Sequence, residues 1–370
     1  MSTRRCVVRV IVIWLIISIS GCLSQNGNYV STGTPIELKA SVLVGTDDFL
    51  YAMYAQVICL DWEGNTMWES PFLGGRGMIY LGDSFFTITF DKSRTEWGIA
   101  YLNDKGDILW QKDMGGISSI GIGASQDVLA VGSSRTGTLS AFSRTGDVIW
   151  VYDHSSRINQ VTVSSDGSYV FFTDDDAVSC VRDGNLIWSH DAGPIDPGNR
   201  RTIAIAPDNS YCVYGSEKGG PHIVAATLDG EVLWSHPVRE YLLSVAVSGD
   251  SQYIVCGAFE NVYKFTRDGT RVWASGIGGN NDYIAITPSA DVIAVGSNGL
   301  PATLIVLNGD GEVLWKARSF DTIFSVGISP NGKYVAFSNR LSQLFIFANP
   351  PEPKDSGVFS ILREIQKEII

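Results

Sequence analysis

The side chains able to do chemistry in this 370-residue chain are few and scattered. Its cysteines stand at 6, 22, 59, 180, 212 and 256, none in Cys-x-x-Cys spacing. Cys59, Cys180, Cys212 and Cys256 each lie within an apolar run, the setting of a buried thiol rather than a disulfide or metal ligand. The four histidines, His154, His190, His222 and His236, are not spaced as a ligand set; His190 and His236 each follow a tryptophan by two residues, as packing positions on a strand would. Asp174-Asp175-Asp176 is the best calcium candidate by composition, yet it lacks the alternating spacing of a chelating loop and reads as a solvated turn between two strands. No Gly-x-Ser-x-Gly, P-loop or His-Glu-x-x-His motif is present. From these residues we expect no catalytic residue, no metal and no cofactor.

The elements around them are far more regular. The phrase Gly-x-x-x-Trp occurs at Gly64/Trp68, Gly106/Trp110, Gly146/Trp150, Gly184/Trp188, Gly230/Trp234, Gly269/Trp273 and Gly311/Trp315. Successive tryptophans are 42, 40, 38, 46, 39 and 42 residues apart, a period that marks a repeat architecture. Residues 237–275 show the unit: strand-like runs at 242–248, 253–258, 261–266 and 270–275 are joined by turns, with Asp268-Gly269 before the last. Asp183-Gly184, Asp229-Gly230 and Asp310-Gly311 recur at the same place, so these aspartates serve hairpin geometry rather than a metal.

A four-stranded sheet cannot bury both faces alone, and radial stacking of such sheets covers them while leaving no long open edge. The expectation is an all-β fold, a β-propeller of four-stranded antiparallel blades, with each tryptophan filling space between neighbouring sheets. After Trp315 come three more strands (323–329, 333–338 and 343–348) without a fourth, which residues 28–34 could supply. That count favours eight blades over seven. Trp62 and Trp97 fall outside the register.

The two ends differ in kind. Arg4 and Arg5 precede an apolar run from Val7 to Ile19, an export signal too short to span a membrane. Its ending, Ile19-Ser20-Gly21-Cys22, resembles the lipobox of prokaryotic lipoproteins, which implies a signal at 1–21, lipidation of Cys22, and a membrane-anchored protein outside the cytoplasm. Residues 22–36 are polar and turn-rich, as a tether should be. The propeller is assigned to 37–348. In 349–370, prolines are followed by Val358, Phe359, Ile361, Leu362, Ile365 and Ile369 at near-helical spacing, which predicts a short C-terminal amphipathic helix that packs on the ring or docks elsewhere.

LDGEVLW (228–234) and GDGEVLW (309–315) resemble the β-propeller repeats of the pyrroloquinoline-quinone type, and SPNGKYVAF (329–337) is similar to TolB-like and WD-type repeats. The resemblance covers 37–348 and implies the fold; in active quinoproteins it also implies a calcium site, a carboxylate base and often an adjacent cysteine pair, which this chain lacks. It further implies, by its likeness in design to the propeller lipoprotein of the bacterial outer-membrane assembly machinery, a non-enzymatic binding or assembly scaffold. The alternative is a quinone-dependent dehydrogenase or other enzyme at the channel mouth.

The net charge of −12, or −15 without residues 1–21, excludes nucleic acid, whose phosphates demand clustered Lys and Arg. A protein or glycan partner is expected instead, met by loops that break the repeat: Asp191, Asp196, Asn199, Arg200 and Arg201 in the longest inter-tryptophan step, and Asn280, Asn281 and Asp282 further along.

Overall fold

In a computed structural model, the described residues are 36–349 except 39, 41, 54–55, 72, 74–76, 91–96, 115–119 and 194–202. The signal, Cys22, the segment 28–34 and the amphipathic segment 350–370 therefore lie outside the described residues. Eight four-stranded sheets form the ring, seven of them meanders in chain order from inner to outer strand. Blades one to seven occupy 42–69, 78–113, 120–153, 160–191, 203–237, 242–276 and 281–318. Blade six is representative, with strands Leu242–Val247, Tyr253–Ala258, Asn261–Thr266 and Arg271–Gly276, close to the predicted runs. No helix occurs among the described residues.

Blade eight is assembled from both ends of the chain. Ile323–Ile328, Tyr334–Asn339 and Gln343–Ala348 supply three strands, and Ile36–Glu37 pairs antiparallel with the third, setting Ile36 opposite Leu344. The eighth blade is thus closed by the N-terminal side, as expected, through residues just beyond the segment 28–34. The seam between blades eight and one is fully furnished: Leu43, Leu50, Trp62, Ala336 and Leu344 form one buried cluster. Trp62 stacks on Tyr334 at 5.1 Å, which gives this out-of-register tryptophan its role. The Leu43 amide donates to Ser325 Oγ (3.0 Å) and the Ser338 hydroxyl to the Ala40 carbonyl (2.8 Å).

The repeated phrase works as a latch between blades. Gly230 has φ +95°, open to glycine but strained for other residues, and its Cα lies so near the ring of Trp188 that an added Cβ would sit 2.6 Å from two ring atoms. The tryptophans of blades one to six are each set under the hairpin glycine of the following blade in this way, from Trp68 beneath Gly106 to Trp273 beneath Gly311. The indole N–H completes the contact: Trp188 donates to the Leu228 carbonyl at 2.8 Å, and Trp234 to the Arg267 carbonyl at 2.9 Å. Trp315 has no hairpin glycine ahead of it and donates to Asn349 Oδ1 at 2.8 Å. At the closing seam Ile36 takes the tryptophan's place against Gly64.

Trp110 corrects one part of the expectation for these residues. It lies beneath Gly146, where an added Cβ would sit 3.1 Å from its ring, and its N–H donates to the Arg144 carbonyl at 2.7 Å. Its ring also stacks on Tyr101 of its own blade, with centroids 5.8 Å apart. Even so, Trp110 is only partly buried, as are Trp68, Trp150, Trp188, Trp234 and Trp273; of the seven, Trp315 alone is enclosed. The reason is position. The fourth strand is the outermost of its blade, so the indole caps the inter-blade contact at the rim and keeps some exposure to water. The space between blades two and three is filled instead by Phe86, Ile99, Leu129, Val131 and Phe142 from the inner strands.

The residue before each tryptophan is a β-bulge. In blade three Ala141 faces Trp150 and Phe142 faces Val148, so Ile149 has no partner. The same slip recurs in all seven tryptophan-bearing strands, exposing an aliphatic side chain on the outer rim each time.

Candidate protein interface

Antiparallel meanders place the first-to-second and third-to-fourth turns on one face of the ring, here the turn face. The second-to-third turns and inter-blade connections lie on the other, the loop face. The charge divides unevenly between them. Among the described residues the segments between strands on the turn face carry eighteen Asp and Glu against four Lys and Arg, a net of −14; those on the loop face carry seven against five, a net of −2.

The acidity of the turn face comes from turn chemistry. Ser164 donates to Asp166 (2.6 Å) and Ser248 to Asp250 (2.5 Å), while Thr266 donates to Asp268, each carboxylate also capping a backbone N–H of its own turn. Those hydroxyl bonds hold the three carboxyls below the ordinary aspartate pKa of 3.8. Asp83 is held down chiefly by Arg144, whose guanidinium reaches it at 2.8 Å from blade three and also engages Tyr101 and Ser84. Unfolded chains therefore take up protons before the folded ring does, so this contribution is complete above about pH 3.8 and is lost as pH falls through the depressed folded values. Repulsion across the face acts the opposite way, but salt screens it beyond about 8 Å whereas the bonds are in contact. In 0.15 M salt the urea midpoint is expected to hold steady from pH 6 to 5 and to fall below about pH 4. Arg144→Met should lessen that fall, as a pH series of urea unfolding curves will show.

On the loop face, the residues singled out from the sequence do not form one site. Asp191 ends the outer strand of blade four, paired with Lys218 Nζ and accepting the Gly193 N–H at 3.0 Å. Asp196, Asn199, Arg200 and Arg201 lie outside the described residues. Asn281 is fully buried, and its Nδ2 donates to the carbonyls of Ala258 (2.8 Å) and Asn261 (3.3 Å) in blade six, so it joins two blades and is turned away from solvent. The Asn280 carbonyl and the Asp282 carboxylate both accept from Asn298, the first from its backbone N–H and the second from its amide.

Asp174 corrects another expectation. It is buried rather than solvated: Oδ1 accepts the N–H groups of Asp176 and Ala177, and Oδ2 lies 2.8 Å from His154 Nε2. The His154 ring rests edge-on against Phe172, from which no sequence spacing could have linked it to Asp174. His190 and His236 keep the packing roles expected of them, against Trp188 and Phe265.

Cys59, Cys180, Cys212 and Cys256 are buried, unpaired and set in blades one, four, five and six. Burial pushes the Cys59 and Cys212 thiols up to about 11 and about 12, and those of Cys180 and Cys256 further. No three His, Cys, Asp or Glu side chains among the described residues gather as metal ligands.

What the loop face does offer is an apolar patch that no sequence pattern announces. Leu300 (fully exposed), Phe320 (73%), Leu341 (54%) and Phe324 (36%) belong to three neighbouring segments of blades seven and eight. Those segments are tied together. The Ser319 N–H donates to the Ala302 carbonyl (2.8 Å), the Arg340 N–H to the Thr322 carbonyl (2.9 Å), and Asn298 brackets Ile323 through both its N–H (2.8 Å) and its carbonyl (3.1 Å). Asn339, itself buried, bridges to Ser319 and Gln343, and Arg340 pairs with Asp321. Large apolar side chains are thus held out into water beside a hydrogen-bonded polar frame, the reverse of ordinary loop chemistry. The only sequence signal is a single apolar residue in each of three polar turns, at SNGLP, SFD and RLS. The rim aliphatics differ in recurring with every repeat.

Fold and repeat together define an eight-bladed, all-β propeller of four-stranded antiparallel blades. A family model described as Outer membrane protein assembly factor BamB matches residues 96–253, from blade two into blade six. Among solved structures, the computationally designed Ika8 protein aligns with a TM-score of 0.69 at 14% identity, covering 87% of this chain and all of that one. BamB from Moraxella catarrhalis aligns with a TM-score of 0.61 at 13% identity, covering 85% and 98%. At such identities these likenesses establish the fold. No curated protein matches the chain.

Proposed function

We propose that this chain is a non-enzymatic scaffold, tethered to a membrane through lipid on Cys22 with its ring outside the cytoplasm, which binds a protein partner on the loop face of blades seven and eight. The observation that carries the binding reading is the patch of Leu300, Phe320, Phe324 and Leu341 on a hydrogen-bonded frame. Exposed Phe and Leu side chains suit a protein surface better than a glycan, whose hydroxyls call for polar groups beside aromatic platforms. The family model, described as an assembly factor of outer membrane proteins, supports the scaffold role and the location, and the lipobox-like ending supports the anchor.

A photo-crosslinking residue at position 320 tests the interface in cells, in the full chain and in a chain ending at Asn349. A single intermolecular adduct that is lost with Leu341→Ser, and absent when the probe is moved to Val148 on the rim, is expected. No adduct at 320, or equal adducts at 320 and 148, overturns the reading. Cys22→Ser should release the protein from the membrane fraction, and unchanged sedimentation would remove the anchor.

A further inference from the structure

We infer that a second partner site lies on the turn face, in the cleft between blades five and six, and that it takes a lysine or arginine side chain from a basic segment of a protein. The site is independent of the apolar patch, which lies on the opposite face. Three observations converge on it.

The first is the cavity. A cleft of about 780 Å³ opens between the outer strand of blade five and the two turns of blade six, a size that suits a bound group. Its apolar lining includes Trp234, partly buried, and Leu233, which the bulge leaves 50% exposed. Its acidic lining is Asp250 and Asp268, one from each turn of blade six.

The second is how those carboxylates are bonded. Their own turns take up Oδ1 of each: the Ser248 hydroxyl and the Gln252 N–H donate to Asp250 (2.5 and 3.0 Å), and the Thr266 hydroxyl and the Thr270 N–H to Asp268. Among the described residues no donor from another blade reaches either one, and neither forms an ion pair. Other carboxylates of this face are answered across a seam, Asp83 by Arg144, Asp208 by Arg267 and Asp229 by the Tyr169 hydroxyl at 2.8 Å. Arg267, the cation of the cleft, is thereby committed to Asp208 at 3.2 Å and lies over the ring of Tyr211. Lys264 is 5% exposed and donates to the carbonyls of Ala290 and Gly309 in blade seven. Asp250 and Asp268 are thus charge that the ring itself leaves unpaired.

The third is the sign of the surroundings. The described segments of this face carry −14, so an anion is repelled and a cation is drawn in at contact range. No third carboxylate, histidine or cysteine joins the pair among the described residues, which leaves a metal ion short of ligands. Lysine and arginine meet both demands of the cleft: an apolar stem to lie on Leu233 and Trp234, and a charged head with several N–H donors for the carboxylates.

The test titrates a fluorescently labelled penta-lysine peptide, by anisotropy, against the full chain in nonionic detergent at about 50 mM salt, where surface charge is only partly screened. A Kd on the order of 100 µM is expected, with no binding of a penta-glutamine peptide. Asp250→Asn with Asp268→Asn should weaken binding about tenfold, since asparagine keeps the turn-capping oxygen and removes the charge. Asp104→Asn with Asp107→Asn removes the same charge from a turn of blade two, across the ring, and should change binding by less than about twofold. Leu233→Ser should weaken binding about threefold by taking apolar contact from the stem. Thermal unfolding of each variant separates lost binding from lost folding. The inference is overturned by absence of binding, by equal losses in the two aspartate pairs, by equal binding of penta-glutamine, or by undiminished binding to Leu233→Ser. Displacement of the peptide by maltotriose would make the cleft a sugar site and overturn it as well.

Discussion

Trp315→Ala is expected to lower the stability of the ring by about 3–5 kcal/mol, the range for truncating a buried aromatic residue. Trp315 is 3% exposed, the least of the seven repeat tryptophans, and packs against Phe347 across the seam between blades seven and eight. It also holds Asn349, the last described residue, through its indole N–H. The loss should appear as a fall in thermal midpoint of about 5–10 °C, taking the lower end of the shift per kcal/mol because the ring is large. Trp315→Phe keeps most of the burial and forfeits the bond to Asn349, for about 1 kcal/mol. Trp68→Ala and Trp110→Ala should each cost less than Trp315→Ala, since both rings are only partly buried. Equal losses at the three positions would mean that burial does not set the strength of the latch.

Gly230→Val has the second large effect, and two causes combine in it. The backbone at φ +95° is strained for any side chain and most of all for a β-branched one, at about 1–3 kcal/mol. The new Cβ would also meet Trp188 at 2.6 Å, and displacing a packed ring costs about another 1–3 kcal/mol. Gly82 separates the causes: its φ is also +90°, yet nothing lies within 4 Å of an added Cβ. Gly82→Ala should therefore cost the strain alone, about 1 kcal/mol by urea unfolding. If Gly230→Ala cost no more than Gly82→Ala, the glycine would serve the turn without serving the tryptophan.

These two residue types explain why the fold is legible in the sequence. A turn that demands positive φ and a ring that demands a bare Cα beneath it each leave one permitted residue, and the two meet at six successive blade junctions. Counting strands after Trp315 then reveals the eighth blade. How deeply each tryptophan is buried is not legible, because Trp110 and Trp315 share one motif and differ only in what the next blade lays over them. The closing strand is harder to place, since its register depends on Ile36 finding Gly64, a contact between positions that no periodicity links. The candidate site is legible only as a region. Asn281 reads as a loop residue from its neighbours, but its direction is decided by the carbonyls of Ala258 and Asn261 in the adjacent blade. Asp174 reads as solvated because its partner His154 belongs to the preceding inter-blade connection. The patch leaves almost no trace, since an apolar residue alone in a polar turn has no pattern until three such turns are brought side by side.

The uneven division of charge gives the ring a heads and a tails. At physiological ionic strength a field fades within about 8 Å, so the −14 of the turn face is scarcely felt at a distance and acts only when another surface is nearly in contact. There it discriminates: a disc tumbling against an anionic surface is turned back when it arrives acid side down and better tolerated when it arrives with the other side down, whose described segments between strands carry −2. The side that is tolerated is the one that carries Phe320 and Leu300. Turn-capping aspartates, present for local geometry, thus bias which side of the molecule makes its encounters, with no residue set aside for steering.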